Sequence, residues 1–172
     1  RFELEALCIK ALLDKKVIEL PQAIEISESE IKQETQKLIE IANHLIHEGE
    51  KTISIVSEAE VSCLALSSIL TSRKIENLIA IDERTTRIIS ESPKNLEKLI
   101  SQKIHRNVKL EHDDFSAFAK FRFVRSSELV YVAHKLGVLQ VKDPKALEAA
   151  LYATKFKGSS ITWDEINELK KL

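Results

Sequence analysis

The chain has 172 residues, 44% of them hydrophobic and 31% charged, with a formal net charge of −1. That length suits one ordinary domain with a real core, and the balance excludes a disordered chain. No apolar run approaches the roughly 18 residues of a membrane span, no signal peptide opens the chain, and three Gly and three Pro favour helices and short connections over an all-β sandwich.

Residues 2–13 place Phe2, Leu4, Leu7, Ile9, Ala11 and Leu12 near helical spacing, which predicts a helix already under way at the start. The opening Arg-Phe-Glu-Leu-Glu lacks Met, as does the whole chain, so the sequence is expected to begin inside a longer gene product. Val17 to Leu20, before Pro21, reads as extended. Ser27 and Glu30 have the spacing of a capping box, and the apolar stripe Ile31, Leu38, Ile41, Ala42 and Leu45 predicts a helix ending near Gly49.

Residues 51–56 read as a connector or short strand. Ser57 and Glu60 form a second capping box before Val61, Cys63, Leu64, Leu66 and Ile69, a run apolar on most sides and therefore expected deep inside. Leu78-Ile79-Ala80-Ile81, ended by Asp82, predicts a central parallel strand. A helix then starts near Thr85, another runs from Pro93 to about residue 104 behind Ser92, and Asn107 to Leu110 suits a further strand. The last third reads as helical: Ser126 to about Leu136 closed by Gly137, a helix from Asp143-Pro144 to Gly158, and a third capping box at Thr162 and Glu165.

The only two cysteines, Cys8 and Cys63, lie in apolar runs. They are too few for a disulfide framework or a zinc site and are expected as buried free thiols in a reducing, cytoplasmic compartment. The small net charge hides an asymmetry. Residues 1–60 carry seven Lys/Arg against thirteen Asp/Glu, a balance of −6, and residues 84–125 carry ten against five, a balance of +5. A basic second half attracts phosphate, unless its charges coat unrelated faces.

Two segments carry candidate chemistry. Residues 57–66 (SEAEVSCLAL) put Glu58 and Glu60 in the opening turn of a helix, and residues 78–87 (LIAIDERTTR) put Asp82 and Glu83 at the carboxyl end of a strand. Ligands bind at that end of open parallel sheets, and carboxylates from two such elements are what Mg²⁺ or Mn²⁺ needs. The plainer reading is that Glu60 reciprocates the Ser57 cap and Asp82 caps the next helix. Phe115, Phe118, Phe121 and Phe123 alternate with Lys120, Arg122 and Arg125. They are expected in the core, with stacking on single-stranded bases as the alternative. His105, His112, His134 and Asp113-Asp114 are expected as surface groups rather than a metal cluster.

The pairing of SEAEVSCLALS with LIAIDERTTR resembles the PIN-domain superfamily of metal-dependent ribonucleases, and RSSELVYVAHKLG with GSSITWDEI resembles the tail of a PIN-like group, together covering residue 50 to the end. The resemblance implies a three-layer α/β/α fold with a short central parallel sheet, forming one domain over 1–172 with an α/β core to 125 and a helical part from 126. It implies hydrolysis of RNA phosphodiester bonds, with Glu60 and Asp82 as the catalytic acids. Glu60, Asp82, Glu58 and Glu83 would hold Mg²⁺ or Mn²⁺, and Arg84, Arg87, Lys120, Arg122 and Arg125 would hold the RNA backbone. The partners expected are RNA, single-stranded or structured, and a second copy of the chain, with no membrane. The chain departs from the family in two ways. The sequence opens on an expected helix rather than on the family's aspartate-bearing strand, leaving Glu3 or Glu5 for a further acid, and Glu60 and Glu83 replace the commoner aspartates. Those departures make a PIN-like RNA- or protein-binding module the alternative reading.

Overall fold

A computed structural model describes residues 2–48, 51–110, 115–139, 143 and 145–171. It is a mixed α/β structure, mostly helical, with very short strands. The elements are α1 (Phe2–Asp14), α2 (Glu28–Asn43), β1 (Ile46–Glu48), β2 (Lys51–Thr52), α3 (Glu58–Ser72), β3 (Ile79–Ala80), α4 (Arg84–Glu91), α5 (Leu96–Ile104), β4 (Lys109–Leu110), β5 (Phe123–Val124), α6 (Ser126–Lys135), α7 (Ala146–Phe156) and α8 (Trp163–Leu169), with 3-10 turns at Pro21–Ile24 and Pro93–Asn95. Among the described residues no helix is long and apolar enough to cross a membrane.

Local chemistry explains most of the helix ends. Ser57 Oγ accepts from the Glu60 N–H while a Glu60 carboxylate oxygen accepts from the Ser57 N–H at 2.8 Å, so both orphan donors of α3 are satisfied. Thr162 and Glu165 do the same for α8. At α2 only the Ser27 half forms, with Ser27 Oγ accepting from the Glu30 N–H, because Glu30 turns instead to the Arg73 guanidinium at 3.0 Å. Ser57→Ala is expected to cost about 1 kcal/mol, read as a lowered urea midpoint at unchanged slope. A loss under about 0.3 kcal/mol would mean that the cap contributes little. Helix α1 ends in a Schellman turn, in which the Val17 N–H reaches the Leu12 carbonyl and the Lys16 N–H the Leu13 carbonyl. Lys16 holds the left-handed φ of 53° that the turn requires.

Among the described residues parallel pairing is confined to β3 and β5, with Ile79 opposite Phe123 and Ala80 opposite Val124. The second sheet, in the order β2-β1-β4, is antiparallel throughout. The direct β1–β2 connection is too short for a parallel crossover.

Among the described residues two apolar clusters form. The larger gathers Leu38, Leu45, Ile46, Val61, Leu64, Ile89, Leu96 and Phe118, among others, from the first 125 residues. The smaller gathers Leu147, Leu151, Ile161 and Ile166 between α6, α7 and α8. Phe118 and Phe121 are buried and Phe115 and Phe123 pack against the larger cluster, so the phenylalanines are core.

Three expectations are corrected. Helix α2 stops at Asn43 rather than near Gly49, which lies outside the described residues. Leu45 and Ile46 are drawn inside, and the chain turns into β1 to pair with β4. Helix α3 is buried through Val61, Leu64, Ala65, Ser67, Ser68 and Ile69, but it is exposed at Glu58, Ala59 and Cys63. Cys63 therefore faces outward, and Cys8 is exposed because α1 lies off the core; both are free thiols.

Candidate functional site

The β3/β5 pair sets the geometry. Because the strands run parallel, their carboxyl ends finish side by side, and the residues that follow both strands are brought together: Asp82, Glu83 and the first turn of α4 after β3, and Arg125 and the first turn of α6 after β5. The Ile81 N–H still donates to the Val124 carbonyl at 3.1 Å, which carries the pairing up to Asp82.

Asp82 Oδ1 accepts from the Ser126 N–H and from Ser159 Oγ, each at 3.1 Å. One carboxylate thus ties the strand end to the start of α6 and to the loop before α8. Glu83 has the role that plain reading assigned to its neighbour: it is the N-cap of α4, accepting from the Thr86 N–H at 2.7 Å. Burial pushes the Glu83 carboxyl up, but the Thr86 and Thr85 backbone N–H groups and the Thr85 hydroxyl outweigh it and hold the group below its ordinary value. Lys103 Nζ approaches its other oxygen at 3.9 Å. Glu60 serves the capping box of α3 and Glu58 is exposed on the same turn.

The four candidate acids therefore form two pairs on two turns, and no hydrogen bond links one pair to the other. A hard divalent cation needs several oxygen donors. Among the described residues no group of three or more His, Cys, Asp or Glu is placed to hold one. Glu3 is exposed on α1. His105 is exposed at the left-handed C-cap of α5, His134 lies in the last turn of α6, and His112, Asp113 and Asp114 lie outside the described residues.

The five candidate basic residues divide between the two ends of the strand pair. Lys120 and Arg122 precede β5 and line an open cavity of about 310 Å³ with Lys74 and Asn77. There Lys120 donates to Ser68 Oγ at 2.9 Å, and Arg122 pairs with Glu76 at 3.3 Å. Arg84, Arg87 and Arg125 line a second cavity, of about 240 Å³, at the carboxyl end, with Glu91, Glu165, Asn95, Ser160 and Thr162 also on its walls.

In this second cavity the three guanidinium groups differ in how fully they are satisfied. Arg125, 17% exposed, pairs with Glu128 at 3.0 Å and Glu165 at 2.6 Å. Burial pulls the Arg125 guanidinium down, but the bonds to Glu165 and Glu128 outweigh it and keep it firmly charged. Burial likewise pushes Glu165 up, but the Thr162 N–H, Arg125 and the Thr162 hydroxyl lower it to about 2. Arg84 is exposed at the first position of α4. Arg87, 15% exposed, pairs with Glu91 at 3.4 Å through Nη2, while its Nη1 is buried with no hydrogen-bond partner.

Ser126, Glu128, Ser159, Ser160 and Glu165 were not anticipated as parts of this region. The Thr162–Glu165 box was visible from its local spacing, but the reach of Glu165 to Arg125 spans 40 residues and has no local signature. Comparison of the chain with protein-family models, with curated proteins and with solved structures finds no match.

Proposed function

We propose that this chain is a PIN-like domain, three-layered about its short strands, that binds RNA through phosphate at the Arg84–Arg87–Arg125 cavity. The observation that carries the proposal is the buried, unpartnered Nη1 of Arg87. A buried charged N–H without an acceptor is costly, and a shift of the Arg87 side chain that brings Nη1 to the surface of the cavity it lines would let an anionic oxygen satisfy it. Guanidinium groups suit phosphate because their forked donors match its oxygens. At about 240 Å³ the cavity falls below the usual 300–1,000 Å³ of small-molecule pockets, so it suits one phosphodiester group rather than a whole nucleotide. The acids nearby serve the scaffold: Asp82 holds Ser126 and Ser159, and Glu83 and Glu60 cap helices.

The nuclease reading is favoured by one observation, the placement of Asp82 at the carboxyl end of a parallel strand beside that cavity. That reading would need Asp82 and Glu83 to come together with Glu58 and Glu60 around Mg²⁺ or Mn²⁺, which would supply an activated water and charge neutralisation at the phosphate.

One experiment separates the two. Binding of a labelled single-stranded RNA is measured with excess chelator and again with Mn²⁺, scoring cleavage as well. The expected result is chelator-insensitive binding without cleavage. The double change Arg84→Gln, Arg87→Gln should weaken binding roughly tenfold and reduce the slope of log affinity against log salt by about 1 to 2. Unchanged affinity in the double variant sinks the arginine cavity as the site. Mn²⁺-dependent cleavage that Asp82→Asn abolishes would install the nuclease reading instead.

A further inference from the structure

We propose that Phe156 and Trp163 form a stacking corner for one unpaired base of the RNA whose phosphate enters the Arg84–Arg87–Arg125 cavity, so that the chain prefers single-stranded RNA. This role rests on the phosphate reading of that cavity. The cavity has room for one phosphodiester group, so the bases of a bound strand lie outside it. The loop that walls the cavity carries the two rings at its ends. Phe156 closes α7, Ser160 and Thr162 line the cavity, and Trp163 opens α8. Thr162 and Trp163 are chain neighbours, with Cα atoms about 3.8 Å apart. Trp163 faces α7 while Glu165 faces Arg125, so the corner takes a base next along the strand rather than that of the bound nucleotide.

Phe156 is 77% exposed and Trp163 49% exposed, and neither belongs to the apolar clusters. Their rings stand at 70° with centroids 6.2 Å apart, a corner in which a planar base can lie on one ring and meet the other edge-on. Tyr152 backs the indole at 5.4 Å, with its hydroxyl donating to Glu148 at 2.6 Å. The loop is tied down at two points: Ser159 Oγ donates to Asp82 at 3.1 Å, and Lys155 Nζ donates to the Ile161 carbonyl at 2.6 Å. The Lys155 ammonium also lies over the indole at 4.9 Å, which leaves Phe156 as the more open platform. The charges around the rings are mixed. Lys155 and Lys157 flank Phe156, Glu148 is paired with Lys170, and Asp164 and Glu168 are exposed on α8. Those two acids oppose phosphate at the rings themselves, so what the rings take is an uncharged base while the phosphate goes to the arginines. Aromatic faces beside a basic groove take the bases of single strands, because every unstacked base offers a π-face. In a duplex those faces are covered, and recognition falls to shape and backbone.

The test uses the whole chain, an oligoadenylate of about 10 nucleotides and a duplex RNA of the same length. Trp163 is the only tryptophan, so stacking reads out as quenching of the intrinsic fluorescence. The oligoadenylate should quench it and bind roughly tenfold more tightly than the duplex. Phe156→Ala should weaken oligoadenylate binding roughly tenfold at an unchanged salt slope, since no phosphate contact is lost. Phe156→Tyr should retain the affinity, and both variants should keep the thermal midpoint because the side chain is exposed. Arg84→Gln with Arg87→Gln should reduce the salt slope instead. Binding that needs the arginines but ignores Phe156→Ala, or that leaves Trp163 unquenched, overturns the stacking corner alone and leaves the exposed rings to a protein partner. RNA that fails to bind, or that binds without help from the arginines, overturns the phosphate reading and the corner with it.

Discussion

Replacing Phe118 by Ala is expected to lower the unfolding free energy by about 3–5 kcal/mol, the largest effect of any single change considered for this chain. The ring is fully buried, and among the described residues it is the largest side chain to be so. It enters the core from a turn segment rather than from a helix or strand: its N–H bonds the Phe115 carbonyl at 2.9 Å, and its ring packs at 54° against Phe121 with centroids 6.5 Å apart. That ring anchors the segment leading into β5. Because β5 pairs with β3 over two residues only, its register depends on packing more than on the ladder. Native domains have about 5–15 kcal/mol in hand, so the variant keeps a small margin or none. Urea unfolding followed by tryptophan fluorescence at Trp163 and by circular dichroism measures the loss. A change under about 1 kcal/mol would mean that the ring does not fill the core as its burial requires.

The second large effect is expected from Arg125→Met. Arg125 joins the start of α6 to α8 through Glu128 and Glu165, across the carboxyl end of the β3/β5 pair. Charge-assisted hydrogen bonds of this kind contribute about 1.5–3 kcal/mol when made. Glu165 retains its own access to water, with 35% of its side chain exposed, which places the loss near the lower end, at about 2 kcal/mol. The pH dependence has a definite sign. The Glu165 carboxyl is lowered from 4.5 to about 2 in the folded chain. Its contribution is therefore fully present above about pH 4.5, and it is lost as pH falls from there toward 2. Wild type should lose stability through that window faster than the variant, so the gap between them narrows with acid. Denaturation curves at pH 7, 4 and 3 read this directly. A gap that stays constant from pH 7 to 3 would mean that the Arg125–Glu165 pair does not hold the two elements together.

The parts of this protein that its sequence reveals are those governed by neighbours within four residues. The Ser57–Glu60 and Thr162–Glu165 boxes form because donor and acceptor are three positions apart on the first turn of a helix. Gly137 and Gly158 end α6 and α7 because they adopt left-handed φ values of 66° and 105° without the cost a side chain would bring. The run before Asp82 forms a strand, but only Ile79 of it is buried while Leu78 and Ala80 are exposed, because among the described residues β3 pairs on one side only, with β5, rather than lying centrally in a sheet.

The same reasoning fails where a residue has two local options and a distant group chooses between them. Asp82 and Glu83 both had the chemistry of an N-cap. Glu83 caps α4, while Asp82 is taken by Ser126 and Ser159, 44 and 77 residues away. The cysteines lie in apolar runs, yet burial belongs to one face of a helix, and which face turns inward is decided by what packs against it.

For the candidate site, the sequence by itself determined the inventory: acids closing β3 and opening α3, and a basic second half. Only the tertiary structure decided its use. The parallel alignment of β3 with β5 brings Arg84, Arg87 and Arg125 to one end of the pair and leaves Lys120 and Arg122 at the other. It also leaves one buried guanidinium nitrogen without an acceptor. Charge is a property of the residue and can be counted along the chain. Whether that charge is satisfied depends on which groups folding brings within about 3 Å of it, and here Glu91 and Glu128 lie four and three positions from their arginines while Glu165 comes from 40 residues away.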